Sequence, residues 1–357
     1  MGARETWRDL STGVETVDAE WERRAWERLD SLTKPPRSLG RLEALAAQLA
    51  AVQRTDRPRS RPAAALIFAA DHGVVSRGVS AYPQEVTGQM VRNFAAGGAA
   101  VNQLAGSAGA ELVVYDVGVA APLDDVAGIR HAKVRPGTQD MTAGPAMTAE
   151  EALRAVRIGI AAVEDLATRS GVRAVAIGEM GIGNTTAAAA LISAFTGAAP
   201  REIVGPGTGL DAEGVARKAS VVEEALAVNR SALEDPFATL AALGGLEIAA
   251  MAGAVLGCAR HRVAAVIDGF ISTAAALAAT RICPACAGFV VASHRSKERG
   301  HAAALQALGV EPLLDLDMRL GEASGAVLAL PLLDAACAVI GGMATFADAG
   351  VSEATSR

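Results

Sequence analysis

Residues 317–326 read DMRLGEASGA and set one carboxylate, Glu322, among small and apolar neighbours with little near it in sequence to pair with. A carboxyl group in apolar surroundings has a raised pKa, which makes it a competent proton acceptor near neutral pH. Glu322 also stands close to the start of a stretch that reads as a helix, and the helix dipole would lower the same pKa. Sequence alone does not weigh these two effects against each other, and the simplest role for such a residue is at the helix N-terminus.

Three glycine- or cation-bearing loops offer complementary chemistry. AIGEMGIGNTTAAAALISAF (176–195) reads as a strand, a glycine-rich turn and a helix beginning near Asn184 or Thr185. Glycines let backbone N–H groups approach an anion, and a helix N-terminus adds partial positive charge. The spacing Gly181-x-Gly183-x-x-Thr186 nearly copies a dinucleotide fingerprint, but the third glycine is missing. No strand ending in an acidic residue follows about twenty residues later, and no Gly-Lys-Ser/Thr occurs. GPGTGLD (205–211), followed by Arg217 and Lys218, is the second loop, and SHRSKERGH (293–301) is the third. Two such loops and a lysine suffice to hold one phosphate. Asp268-Gly269 ends an apolar run, where the carboxylate suits a ribose hydroxyl and a helix cap equally well. Asp71-His72 has no second cluster at metal-ligand spacing. Cys283-Pro-Ala-Cys286 precedes a strand rather than opening a helix, so Cys283 and Cys286 read as incidental or buried thiols.

The elements that must position these residues follow from the apolar pattern. Continuous apolar runs at 63–70, 111–119, 172–178, 261–269 and 286–293 alternate with helical stretches at 85–106, 149–169 and 184–197. That alternation predicts a mostly parallel sheet covered on both faces, with ligands beyond the carboxyl ends of the strands. Helices are expected at 18–30 and 40–53, broken by Pro35 and Pro36 and followed by a polar linker near residue 60, and one or two apolar helices at 323–347. Of the 357 residues 51% are hydrophobic but only 3% aromatic, which requires a core of closely approaching backbones. The net charge of −6 argues against a nucleic-acid partner. The apolar stretches are interrupted by Glu247, Asp268, Pro331 and Asp334, so they read as core rather than membrane spans. The charged N-terminus MGARETWRDL lacks a secretory pattern, and a cytoplasmic location is expected.

Taken together, KPPRSLGRLE, FAADHGVVSRGVSAYPQEVTGQMVRNFAAGGAAVN, VVYDVGV, IGEMGIGNTTAAAAL, GPGTGLD, IDGFIS, SHRSKERGH and LDLDMRLGEASGA occur in an order that resembles the nicotinate-nucleotide–dimethylbenzimidazole phosphoribosyltransferase family over residues 32–347. One departure is Arg37, where the family usually has glycine in KPPGSLG; it bears on the local turn and not on the chemistry. The resemblance implies a doubly wound, Rossmann-like α/β sheet, residues 61–322, with a small helical domain built from both termini, residues 1–60 and 323–357. It implies transfer of phosphoribose from nicotinate mononucleotide to 5,6-dimethylbenzimidazole, giving α-ribazole 5′-phosphate of inverted configuration and free nicotinate. Glu322 would be the catalytic base. Glu179, Gly181, Gly207, Lys218, Asp268, Gly269 and Ser296 would contact the nucleotide, with Lys218 facing phosphate and Asp268 ribose. Ser80, Gln89, Met180 and Leu320 would form the base pocket. It implies no metal or other cofactor, no membrane, and a homodimer. Two rivals stand beside it: a Rossmann oxidoreductase resting on Gly181-x-Gly183, and a same-fold protein that binds the nucleotide without turnover. A flat apolar slot leaves the natural base open among benzimidazoles, purines and phenols.

Overall fold

The computed structural model describes residues 6–207 and 209–352. Six strands, β1 (Ala63–Ala70), β2 (Glu111–Gly118), β3 (Arg130–His131), β4 (Ala174–Met180), β5 (Ala264–Ile267) and β6 (Val290–Ala292), form one sheet in the order β3-β2-β1-β4-β5-β6. Every neighbouring pair is parallel. This is the doubly wound sheet expected from the alternation of runs and helices. Both central strands, β1 and β4, are buried along their whole length, which is why β1 and the first four residues of β4 are continuously apolar instead of alternating; Gly178 and Glu179 break the pattern where β4 reaches the cleft. The strand order reverses between β1 and β4, so a crevice opens beyond their carboxyl ends. β3 was not foreseen: two exposed residues carry no readable pattern.

The helices are α1 (Ala19–Ser31), α2 (Arg41–Gln53), α3 (Glu85–Ala95), α4 (Ala100–Ala108), α5 (Ala149–Ser170), α6 (Asn184–Thr196), α7 (Pro200–Ile203), α8 (Ala212–Val228), α9 (Pro236–Leu243), α10 (Leu246–His261), α11 (Phe270–Ile282), α12 (His301–Leu308), α13 (Ser324–Gly342) and α14 (Phe346–Ala349). The expected helical stretch 85–106 is two helices, broken at Gly97, whose φ of 79° ends α3. The runs at 261–269 and 286–293 contain shorter strands than expected. The first begins with the last residue of α10, and the second with a 3-10 turn, Pro284–Phe289. The strand at 172–178 instead runs on to Met180, so Glu179 is a strand residue.

The shortage of aromatics is met by backbone contact. A Cβ added to Gly159 would overlap the Ala250 carbonyl, and one on Gly253 the Val156 carbonyl, so α5 and α10 cross with nothing between them. Along β1, Ala64, Leu66, Phe68 and Ala70 face one apolar cluster with α5, α6, α10 and α11, while Ala63, Ala65, Ile67 and Ala69 face another with α1, α2 and α13. The N- and C-terminal helical segments meet on this second face, where Leu32 bridges Thr345 and the Thr33 N–H donates to Ala344 O at 3.1 Å. Lys34 and Glu43 form a buried ion pair at 2.7 Å. Arg37 holds the left-handed conformation that glycine would adopt freely, with φ 62°. Its guanidinium pairs with both Asp30 oxygens at 3.0 Å and lies 3.6 Å over the Trp26 ring, which offsets the backbone strain. α13 is long and apolar enough to cross a membrane by length and composition, but here it packs against α2, α4 and β4. Cys258, Cys283 and Cys286 are buried free thiols; burial pushes Cys286 up to about 12.

Candidate active site

A cleft of about 430 Å³ opens beyond the carboxyl ends of β4, β5 and β6. Glu322 enters it on a strained turn. Gly321, Glu322 and Ala323 take φ values of 85°, 60° and 58°, and a left-handed non-glycine residue costs about 1–2 kcal/mol. The turn is wedged against β4: a Cβ on Gly178 would overlap Ala323 N, and one on Gly321 would lie 2.5 Å from Glu179 Oε1. The side chain of Glu322 is 7% exposed. Burial pushes its carboxyl up to about 6. Among the described residues nothing hydrogen-bonds that carboxylate.

The helix-terminal role that sequence left open to Glu322 belongs to Asp268. Its Oδ1 accepts the N–H of Gly325 at 2.7 Å and of Ala326 at 3.1 Å, the first turn of α13. Asp268 therefore caps one helix while its carboxylate also lines the cleft, so the two readings left equal by sequence are compatible. Burial pushes it to about 7, against the N–H bonds of Ala326, Gly325 and Gly269, which pull the other way. Glu179 is pushed further, to about 8. Burial is the main cause, the hydrogen bond from Asn184 Nδ2 opposes it, and the charges of Glu247, Asp268 and Glu322 add to it. Of the four carboxyl groups that line the cleft, those of Glu179, Asp268 and Glu322 are each raised by burial, and to different extents, the pattern from which acid and base roles are drawn. Glu179 holding its proton at neutral pH also lessens the repulsion of an anionic ligand.

The opposite wall is made of glycine-rich turns and the start of a helix. The turn after β4 reaches α6 through Gly181 and Gly183. A Cβ on Gly181 would come within 2.5 Å of Ala70 O, and Gly183 has φ 95°. Beneath the turn, His72 Nε2 and Glu247 Oε1 pair at 2.6 Å with both side chains buried. Burial opposes the charge on His72, but the Glu247 carboxylate prevails and raises its pKa. Asn184 and Thr185 at the start of α6 line the cleft, as does Gly207. Lys218 stands behind them. Its Nζ donates to Thr185 Oγ1 at 2.7 Å and would lie 3.0 Å from a Cβ on Gly207. Burial lowers its pKa to about 8, against the Glu298 carboxylate, which raises it. Thr208, within the loop 205–211, lies outside the described residues.

Nine of the twelve residues singled out from sequence line this one cleft: Glu179, Met180, Gly181, Gly207, Asp268, Gly269, Ser296, Leu320 and Glu322. Three do not. Lys218 acts from behind Thr185. Ser80 accepts the Tyr82 N–H at 3.1 Å and donates to Tyr82 O at 3.0 Å, and Tyr82 is the residue that faces the cleft. Gln89 is exposed on α3, whose Val86 and Met90 supply the cleft wall. Sequence reasoning missed Asn184 as a side chain, Thr185, His294, Glu298 and Arg319. His294 and Glu298 lay in SHRSKERGH, and their position after a strand was the available signal.

A phosphoribosyltransferase family profile matches residues 14–351. The nicotinate-nucleotide–dimethylbenzimidazole phosphoribosyltransferase of Pseudomonas aeruginosa is 52% identical over 347 residues, which is 97% of this chain and 98% of that protein. The enzyme of the same name from Chloroflexus aggregans is 51% identical over 329 residues, 92% of this chain and 93% of that protein. The crystal structure of the Thermus thermophilus enzyme superposes with a TM-score of 0.89 at 48% identity, covering 94% of this chain and all of that one. With the doubly wound sheet and nine of the twelve expected residues gathered in one cleft, these likenesses settle the family. The chain belongs to the nicotinate-nucleotide–dimethylbenzimidazole phosphoribosyltransferase family.

Proposed function

We propose that the chain transfers the phosphoribosyl group of nicotinate mononucleotide to 5,6-dimethylbenzimidazole, with Glu322 as general base. The observation that carries the reading is the Glu322 carboxylate: buried at the cleft, raised to about 6, and without a hydrogen bond from any described residue. One benzimidazole nitrogen attacks the anomeric carbon as the glycosidic bond to the nicotinate ring breaks. The bonding pair returns to the pyridinium nitrogen and neutralises it, so departure needs no further electrophile. The N–H on the other benzimidazole nitrogen becomes acidic as the new bond forms, and its proton passes to Glu322. The free carboxylate is the acceptor that the incoming base brings to completion.

The nucleotide occupies the half of the cleft formed by Glu179, Gly181, Gly207, Asp268, Gly269 and Ser296. Asp268 serves the ribose hydroxyls, since a carboxylate repels phosphate. Phosphate sits on the glycine loops with the Lys218–Thr185 pair behind them. Met180 and Leu320 form the base half and Ser80 braces Tyr82 at its mouth, while Gln89 stands on the exposed side of α3, outside that half. Tyr82 and Leu320 are 53% and 56% exposed at that mouth, which supports a homodimer whose second copy covers the bound base. The segments before residue 61 and after 322 form one small helical domain that backs the Glu322 turn. Buried free thiols accord with a reducing, cytoplasmic setting. The test incubates purified protein with nicotinate mononucleotide, with and without 5,6-dimethylbenzimidazole, and follows nicotinate and riboside by chromatography. Base-dependent nicotinate release matched by a new riboside is expected. Nucleotide binding without release, across a panel of aromatic bases, would leave a binding protein instead.

A further inference from the structure

Two loops on the nucleotide side of the cleft come from different strands, yet one side chain ties them together. Ser296, in the loop after β6, donates its backbone N–H to His301 Nδ1 at 2.8 Å. That bond requires Nδ1 to be the unprotonated nitrogen, so Nε2 carries the hydrogen. Nε2 lies 2.9 Å from Thr273 Oγ1, and the Thr273 hydroxyl donates onward to Gly269 O at 2.7 Å, in the loop after β5. The chain of side-chain bonds therefore runs in one direction, from the Ser296 N–H through His301 and the Thr273 hydroxyl to Gly269 O, which also accepts the Thr273 N–H at 2.9 Å. His301 is 1% exposed. Burial first, then the nearby His294 and Arg295 charges, push it down to about 3, so it stays neutral and the tautomer persists across the working pH range.

The chain of bonds also fixes what Ser296 offers the ligand. Its N–H is consumed by His301, and its Oγ accepts the Glu298 N–H at 3.3 Å. Among the described residues nothing accepts the hydroxyl hydrogen, which leaves one donor free on a cleft-lining side chain. The two loops touch directly, since a Cβ on Gly269 would lie 3.5 Å from Ser296 Cβ.

We propose that His301 is a positioning residue for the nucleotide half of the site, locking the loop after β5 to the loop after β6 through Thr273 and so aiming the Ser296 hydroxyl at the phosphoribosyl group. This rests on the functional reading above, and its test keeps the two separable. His301→Gln reaches toward the Nε2 position but withdraws the acceptor from Ser296. His301→Asn presents an amide oxygen near the Nδ1 position and restores that acceptor. Thr273→Val keeps His301 and cuts only the link to Gly269. Hydrogen exchange of segments 268–272 and 293–297 is measured without substrate, and KM for both substrates is measured on the same preparations. His301→Gln is expected to speed exchange in both segments and to raise KM for nicotinate mononucleotide about tenfold, with KM for the aromatic base within about twofold. His301→Asn is expected to bring the nucleotide KM back to within about threefold of the parent. Thr273→Val is expected to loosen 268–272 and raise the nucleotide KM, and it carries the test if His301→Gln does not fold. Equal rises in both KM values, no difference between the Asn and Gln variants, or an unchanged Thr273→Val would overturn the proposal. If the parent protein releases no nicotinate, the functional reading fails, and the exchange data alone decide whether His301 couples the loops.

Discussion

Glu322 and Glu179 differ in what surrounds them, and the difference predicts how each titrates. The Glu322 carboxyl is raised to about 6 by burial alone. A general base works only when deprotonated, so kcat/KM for the nucleotide, measured at saturating aromatic base, should fall about tenfold per pH unit below about pH 6. A flat profile between pH 5 and 7 would remove Glu322 from that role. Glu179 is raised to about 8 from an ordinary 4.5, so the folded protein holds a proton that the unfolded chain has released throughout that interval. Its contribution to stability is full below 4.5 and is lost as the pH rises through 8. Glu179→Gln removes the titration while keeping an acceptor for Asn184. The variant should melt a few degrees above the parent at pH 9 and close to it at pH 5. A parent and variant that fall in parallel between those pH values would show that Glu179 is not held protonated. Glu322 was legible from sequence as a carboxylate with no neighbour to pair with. Asp268 as the cap of α13 was not, because its partners Gly325 and Ala326 lie in a distant part of the chain and no local pattern joins them.

The Glu322 turn exists because an element of the sheet makes room for it. Gly178 in β4 has no side chain where Ala323 passes, and the three left-handed residues 321–323 follow from that contact. Gly178→Ala would push the turn outward. A displacement near 1 Å at a catalytic group costs about 100-fold in rate, so kcat should fall by that order while nicotinate mononucleotide still binds. Circular dichroism and a melting curve separate this from global unfolding, and activity within threefold of the parent would contradict the positioning role of the strand. β1 and most of β4 were readable because strands buried on both faces carry continuous apolar runs; the end of β4 was not, because Glu179 breaks the run. β3 and the short β5 and β6 were hard to bound, because a strand of two to four residues is shorter than its own pattern. The break between α3 and α4 was readable in principle from Gly97-Gly98, since paired glycines end a helix that apolar spacing would otherwise continue.

At the scale of the whole molecule, the C-terminal helix α13 begins at the Glu322 turn and ends against the N-terminal segment. Within that N-terminal segment Lys34 and Glu43 form a buried ion pair, and Glu43 also accepts the Leu39 N–H at 2.8 Å. Lys34→Met leaves a buried carboxylate without its cation and should cost about 3–5 kcal/mol in urea unfolding, with both KM values unchanged. A stability loss below about 1 kcal/mol would mean that solvent reaches Glu43 and screens it. The order of the motifs along the chain was legible. The convergence of loops from β4, β5 and β6 on one cleft was legible only as the general rule for parallel sheets, and the burial of Lys218 behind Thr185 was not legible at all, because a lysine in a helix gives no local sign of the face it presents.

The most direct measurement concerns Glu322→Gln, in which the amide fills the same space but cannot take the proton. Nucleotide affinity is read by titration calorimetry and transfer by nicotinate release. The account predicts a Kd for nicotinate mononucleotide within about twofold of the parent and a kcat lower by about 10²–10⁴. A variant that turns over at the parent rate would contradict the assignment of Glu322 as the base that receives the proton.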